Sequence, residues 1–317
     1  MAYSWDFDAP TGTFRNFQLS ADVYETSLEN SVAMRFVEVQ SEFGKNKGDT
    51  LTFARFTHIA EPASAELSEL SPIPEVTFSL ATSTFVVREY GVAVPYTGKL
   101  ETLAKYNIEN LIQRTLMEQK RLVLDTLALS SFDDTNVKYV PTAPATSSIT
   151  FNSTASGTAQ AGLNYFHVED ISSLMFDRLN VPYFEGENYV GIFRGKSLTA
   201  LRRDSQFVSW NQYTTPGMKA KGEVGTIERV RLVETNHATA LPYVGANSFG
   251  SGVVFGQDGV GMIEAEAPHL RAALPSGHGR FKSIAWYGLF GFNIIFSGAT
   301  TEATSKGTSR IVHVTSA

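Results

Sequence analysis

The side chains with the most chemical reach are six histidines, a run that imitates a phosphate loop, and two adjacent aspartates. The run Gly191-Ile192-Phe193-Arg194-Gly195-Lys196-Ser197 lies between a strand-like and a helix-like stretch, where a P-loop would cradle phosphate on backbone N–H groups. The true motif has one more residue between its glycines, so this run reads as a strand-to-helix turn with Lys196 exposed. His58, His167, His237, His269, His278 and His313 form no pair spaced four apart around a carboxylate and no HExxH pattern, so no metal site is expected. Asp133-Asp134 could attract a divalent cation, but after a long helical stretch it reads as a solvated loop. The glycines at 250, 252, 256, 259 and 261 lack GxGxxG spacing, and no GxSxG elbow is present. With no cysteine, thiolate ligands and cysteine nucleophiles are excluded. The expectation is a protein with no catalytic residue, no cofactor and no metal, and so not an enzyme.

The composition agrees. The 317 residues allow one large domain or two small ones, and 43% hydrophobic residues suit a packed core. A net charge of -6 does not suit a dedicated nucleic-acid binder, which needs clustered Lys and Arg. The N-terminus shows neither the basic nor the apolar region of a signal peptide. The apolar run at 284–296 is too short and glycine-broken to span a bilayer, so no membrane partner is expected.

The order of elements is more informative. Residues 1–47 form an arm carrying Phe7, Phe14 and Phe17, aromatics that need either a partner surface or their own domain for cover. Residues 48–95 read as a long two-stranded ribbon. Phe53 and Phe56 lie on its first arm, a Pro-rich tip spans 61–74, and Val76, Phe78 and Leu80 alternate on its second. A lone ribbon is marginal in water, so its apolar side must be covered by its own domain or by another subunit. The spacing from 99 to 129 predicts one uninterrupted helix. Residues 141–161, rich in Ser, Thr and Ala, read as a surface loop. Beyond them lies an α/β module with helices at 167–180 and 197–203, strands at 189–193 and 225–234, and extended pieces at 252–255 and 261–264. A buried strand at 281–296 follows, bent at Gly288 and Gly291. No internal repeat is seen.

This order resembles the tailed-phage major capsid proteins of the Hong Kong 97-type fold. Several strings are similar to a podovirus-related branch: Gly48-Asp49-Thr50-Leu51-Thr52-Phe53 at the ribbon entry, and Gly222-Glu223-Val224-Gly225-Thr226-Ile227 with the strand after it. Phe255-Gly256-Gln257-Asp258-Gly259 is similar to an FGxDA region with glycine replacing alanine, and Trp286-Tyr287-Gly288-Leu289-Phe290-Gly291 to the closing strand. The resemblance implies an α+β fold. Its parts would be an N-terminal arm (1–47), an extended β-ribbon loop (48–95), a peripheral domain with spine helix and closing strand (96–164 and 270–317), and an axial domain (165–269). It implies an icosahedral shell around a double-stranded DNA genome, built from pentamers and hexamers of this chain after synthesis in the host cytoplasm. Scaffolding, portal and cement proteins would be further partners, and contact with packaged DNA would be non-specific. Phe7, Phe14, Phe17, Phe53, Phe56, Val76, Phe78 and Leu80 are the expected intersubunit contacts. An encapsulin-like compartment and a soluble enzyme built on the α/β module are the other readings of the same elements.

Overall fold

A computed structural model describes residues 31–40, 48–56, 80–152, 159–206, 223–237, 250–296 and 301–317, with single positions 66, 69, 73, 75, 77 and 241. Among these residues the chain forms two large sheets joined by one long helix, and a two-stranded ribbon, an α+β arrangement.

The four-stranded sheet has the order β1 (Glu38–Gln40), β11 (Val260–Ala272), β12 (Phe281–Ile294), β4 (Arg88–Thr97). β1 runs parallel to β11, and β11, β12 and β4 are antiparallel. The seven-stranded sheet has the order β6 (Thr146–Thr150), β5 (Lys138–Ala143), β13 (Ile311–Ser316), β10 (Gly250–Phe255), β7 (Tyr189–Arg194), β9 (Val230–Thr235), β8 (Glu223–Ile227). The ribbon is β2 (Thr50–Phe56) paired antiparallel with β3 (Leu80–Val86).

The helix expected over 99–129 is two helices, α1 (Gly98–Leu103) and α2 (Ile108–Asp133). The break has a local cause. Ala104 is extended, and Asn107 caps α2 by accepting from the Asn110 N–H at 3.2 Å, a stop and a start that apolar spacing alone does not reveal. α2 serves both sheets. Leu116 packs with Trp286, Phe290, Ile284 and Met262 of the four-stranded sheet. Ala128, Leu129 and Phe132 pack with Val190, Ile192 and Phe255 of the other. One amphipathic helix thus holds the two layers together. The opposite face of the seven-stranded sheet is covered by α3 (Tyr165–Ser173) and the π-helical turn Leu174–Arg178.

Several other expectations change. Residues 88–95 leave the ribbon and pair with β12, so the ribbon ends at Val86. The strand expected at 225–234 is a hairpin turning at Glu228 and Arg229, both with positive φ (43° and 68°). These residues lack the Asn-Gly signature of such a turn, so the sequence hides it. The Ser/Thr-rich stretch is not all loop, because its first part completes β5 and forms β6. The bend expected at Gly288 and Gly291 lies across the sheet in β11, where register shifts fall between Glu264 and Glu266 and between Glu266 and His269. Pro268, which has no N–H to give a ladder, sits in the second. Gly291 serves close approach instead, since a Cβ there would lie 2.1 Å from the Val86 carbonyl oxygen.

The proposed division also shifts. β11, expected in the axial part, belongs to the four-stranded sheet. β5, β6 and β13, expected in the peripheral part, belong to the seven-stranded one.

Candidate assembly surface

Strict alternation gives the ribbon two faces. Leu51, Phe53, Arg55, Ala81, Ser83 and Phe85 turn inward, while their neighbours in both strands are exposed. The inward face is fastened to the chain's own body. Phe85 is fully buried and meets Phe53 edge-on with ring centres 5.0 Å apart. The Ser83 hydroxyl donates to the Ile295 carbonyl at 2.7 Å, and Asn293 Nδ2 donates to the Thr84 carbonyl at 2.8 Å. Farther out, the Arg55 guanidinium lies 5.8 Å from the Phe296 ring centre, and Arg310 lies over the same ring at 3.5 Å while pairing with Asp258 at 3.0 Å. The ribbon is therefore anchored at its root by packing, hydrogen bonds and cation–π contacts.

Among the described residues nothing covers the outward face. Phe56 and Leu80 are cross-strand partners there, 72% and 59% exposed. Thr52 and Thr84 sit opposite one another on the same face, and Val86 continues it to the root. Of the eight residues expected at intersubunit contacts, Phe56 and Leu80 are on this open face. Phe53 is turned to its own body. Phe7, Phe14, Phe17, Val76 and Phe78 lie outside the described residues.

At the ribbon root a cleft of about 570 Å³ opens between β3, β4, β12 and the end of α2, lined by Thr84, Tyr90, Ser131, Asp133 and Asn293 among others. Beneath it Asp133 is no solvated loop residue. Its Oδ1 lies 3.0 Å from His313 Nε2 and 3.9 Å from Lys138 Nζ, and both partners are buried. Lys138 also donates to the Asp133 backbone carbonyl at 2.7 Å. Burial pushes the Asp133 carboxyl up, but His313 and Lys138 outweigh it and hold the carboxyl below its ordinary value. Burial lowers both His313 and Lys138, against the pull of Asp133.

The imitation of a phosphate loop resolves into a structural turn. The Ser197 hydroxyl is buried and donates to the Ser251 carbonyl at 3.2 Å, Lys196 is half-buried rather than exposed, and the helix that follows, α4 (Thr199–Arg203), has only five residues. Among the described residues no three His, Asp or Glu side chains gather as metal ligands, and no helix is long and apolar enough to cross a membrane.

No family model matches the chain, and no curated protein matches it in sequence. Solved structures do. The capsid of Helicobacter pylori bacteriophage KHP30, described as acid-stable, superposes with a TM-score of 0.70 at 11% identity, covering 98% of each chain. This chain has the phage capsid fold. The capsid of Ralstonia phage GP4 (TM-score 0.68, 11% identity, 98% of this chain and 97% of that one) and that of cyanophage Pam1 (0.66, 13%, 98% of each) match as fully. At such identities the likeness is one of backbone architecture. Within the capsid fold described here, the ribbon, α2 and both sheets are all included in the matched length.

Three parts of this capsid fold escaped the sequence reading. Asp125, buried on α2, accepts from Ala33 N–H and Ser31 and so fixes where the chain enters from its first residues. A lone carboxylate among apolar helix positions was the available signal. β13 lies at the heart of the seven-stranded sheet between β5 and β10, and its apolar run Ile311, Val312 and Val314 was legible but short. The Ser/Thr segment has a fixed place, because Tyr139 and Ser147 both donate to Asp170 Oδ2 at 2.7 Å and bind the β5–β6 hairpin to α3.

Proposed function

We propose that this chain is a major capsid protein whose copies assemble, as pentamers and hexamers, into the icosahedral shell enclosing the double-stranded DNA of a tailed phage. The observation that carries the reading is end-to-end likeness to phage capsid structures, 98% of both chains at a TM-score of 0.70. The role is structural rather than enzymatic. The four-stranded sheet with α1 and α2 is the peripheral part, the seven-stranded sheet with α3 and α4 is the axial part, and the ribbon reaches over a neighbouring subunit.

The uncovered outer face of the ribbon supports that last role. Burying a few hundred Å² there would yield several kcal/mol gross at about 25 cal/mol per Å². Association entropy and side-chain ordering offset part of it, leaving the modest net contact that a correctable shell requires. Phe56 and Leu80 are the contact residues on this face, with Phe7, Phe14, Phe17, Val76 and Phe78 as further ones. The net charge of -6 favours non-specific contact with packaged DNA over sequence reading. Scaffolding, portal and cement proteins are the partners such a shell would recruit.

The test is to express the full chain and image it by negative stain. Closed polyhedral particles are expected, and a chain that stays monomeric at high concentration would refute the proposal. Deleting residues 61–74 at the ribbon tip should weaken or abolish particles while the subunit still folds.

A further inference from the structure

Three ionisable side chains from three elements meet inside the molecule, and nothing in shell assembly requires them. Asp133 is the last residue of α2, Lys138 the first of β5, and His313 lies in mid-β13. His313 is 1% exposed with its Nε2 at 3.0 Å from the carboxylate, and its Nδ1 has no hydrogen-bond partner among the described residues. Lys138 is equally buried and holds the same aspartate through its backbone carbonyl. β5 and β13 pair in parallel with His313 beside Lys138, so the histidine and the ammonium are neighbours across the ladder. The other strand against His313, β10, offers Val253 there, which cannot carry charge. Asp134, exposed, adds a weaker pull on Lys138, and Arg88 lines the same cleft as Asp133.

We propose that Asp133, Lys138 and His313 form an acid-released catch that ties the C-terminal strand to the end of the long helix at the floor of the ribbon-root cleft. With His313 neutral, the carboxylate and the ammonium balance, and the imidazole Nε2 lies 3.0 Å from Asp133 Oδ1. One proton added at Nδ1 leaves the trio with a net positive charge, carried by a histidine whose side chain is 1% exposed. A second, on the carboxylate, removes the stronger negative partner and leaves Lys138 only the weaker pull of Asp134. A buried charge without compensation is strongly unfavourable, so the strand end and the helix end part.

The signs agree with the geometry. A histidine lowered from its ordinary 6.5 enters the fold neutral, so its contribution is whole above that value and declines as pH falls towards the lowered one. An aspartate held below its ordinary 3.8 contributes above that value and loses its contribution as pH falls through the lower one. Both therefore act in the same direction, and the histidine acts first.

Hydrogen exchange of the full chain, corrected for intrinsic rates, tests the catch at about pH 7.5 and about pH 5. The amides of 133–138 and 311–316 should lose about tenfold protection at the lower pH, while those of β4 at 88–97 keep theirs. His313→Gln, neutral at both values, should show no such selective loss. Lys138→Met, which removes the neighbouring positive charge, should retain more protection at the lower pH than the unmodified chain, and it serves if His313→Gln does not fold. Equal protection at both pH values, a uniform loss that includes 88–97, or the same acid response in the variants would each overturn the catch.

Discussion

Asp125 Oδ1 accepts the Ala33 backbone N–H at 2.8 Å across 92 positions of sequence. The same oxygen accepts the Ser31 hydroxyl at 3.1 Å, and the carboxylate is fully buried. A charged acceptor placed against a strand of incoming backbone explains why residues 31–36 begin where they do on the flank of α2. Replacing Asp125 with Ala leaves that N–H buried and unpaired, and should cost about 2–3 kcal/mol of stability by urea unfolding. Asp125→Asn keeps an acceptor and should cost less than half as much.

Phe56 and Leu80 touch each other across the ribbon on its solvent side. A double Phe56→Ser, Leu80→Ser variant removes apolar surface that its own subunit does not use. Subunit melting should change by no more than about 0.5 kcal/mol, whereas particle yield by sedimentation should fall sharply. Equal particle yield would show that this face is not an intersubunit contact.

Phe85 is the reverse case. It faces the body, meets Phe53, and packs over Gly261 of the neighbouring sheet only because Gly261 has no side chain; a Cβ on Gly261 would lie 3.1 Å from both the Phe85 ring and Ile295. Phe85→Ala should cost about 3–5 kcal/mol, with loss of exchange protection at 50–56 and 80–86 before the rest of the fold opens.

Gly291 lets β12 approach the root of the ribbon closely. Alanine there would place a methyl 2.1 Å from the Val86 carbonyl oxygen, so the backbone must move. Gly291→Ala should lower the melting temperature and alter ribbon-root exchange. Gly186→Ala, at a position with positive φ but open surroundings, should cost only about 1 kcal/mol through backbone strain.

Period and punctuation were enough to read the main elements, though not the break at Ala104 or the turn at Glu228 and Arg229. The alternation of Phe53, Leu80 and their neighbours located the ribbon, the spacing of Ile108, Leu111, Ile112 and Thr115 located the long helix, and the order of these parts carried the resemblance to capsid proteins. These are properties of contiguous residues, and side-chain period is fixed by backbone geometry. What a strand pairs with is not so fixed. That 88–97 joins β12, that β13 inserts between β5 and β10, that Phe53 faces inward while Phe56 faces solvent, and that Asp133, Lys138 and His313 converge are long-range facts. They depend on which distant surfaces bury one another, and only the tertiary structure decides that.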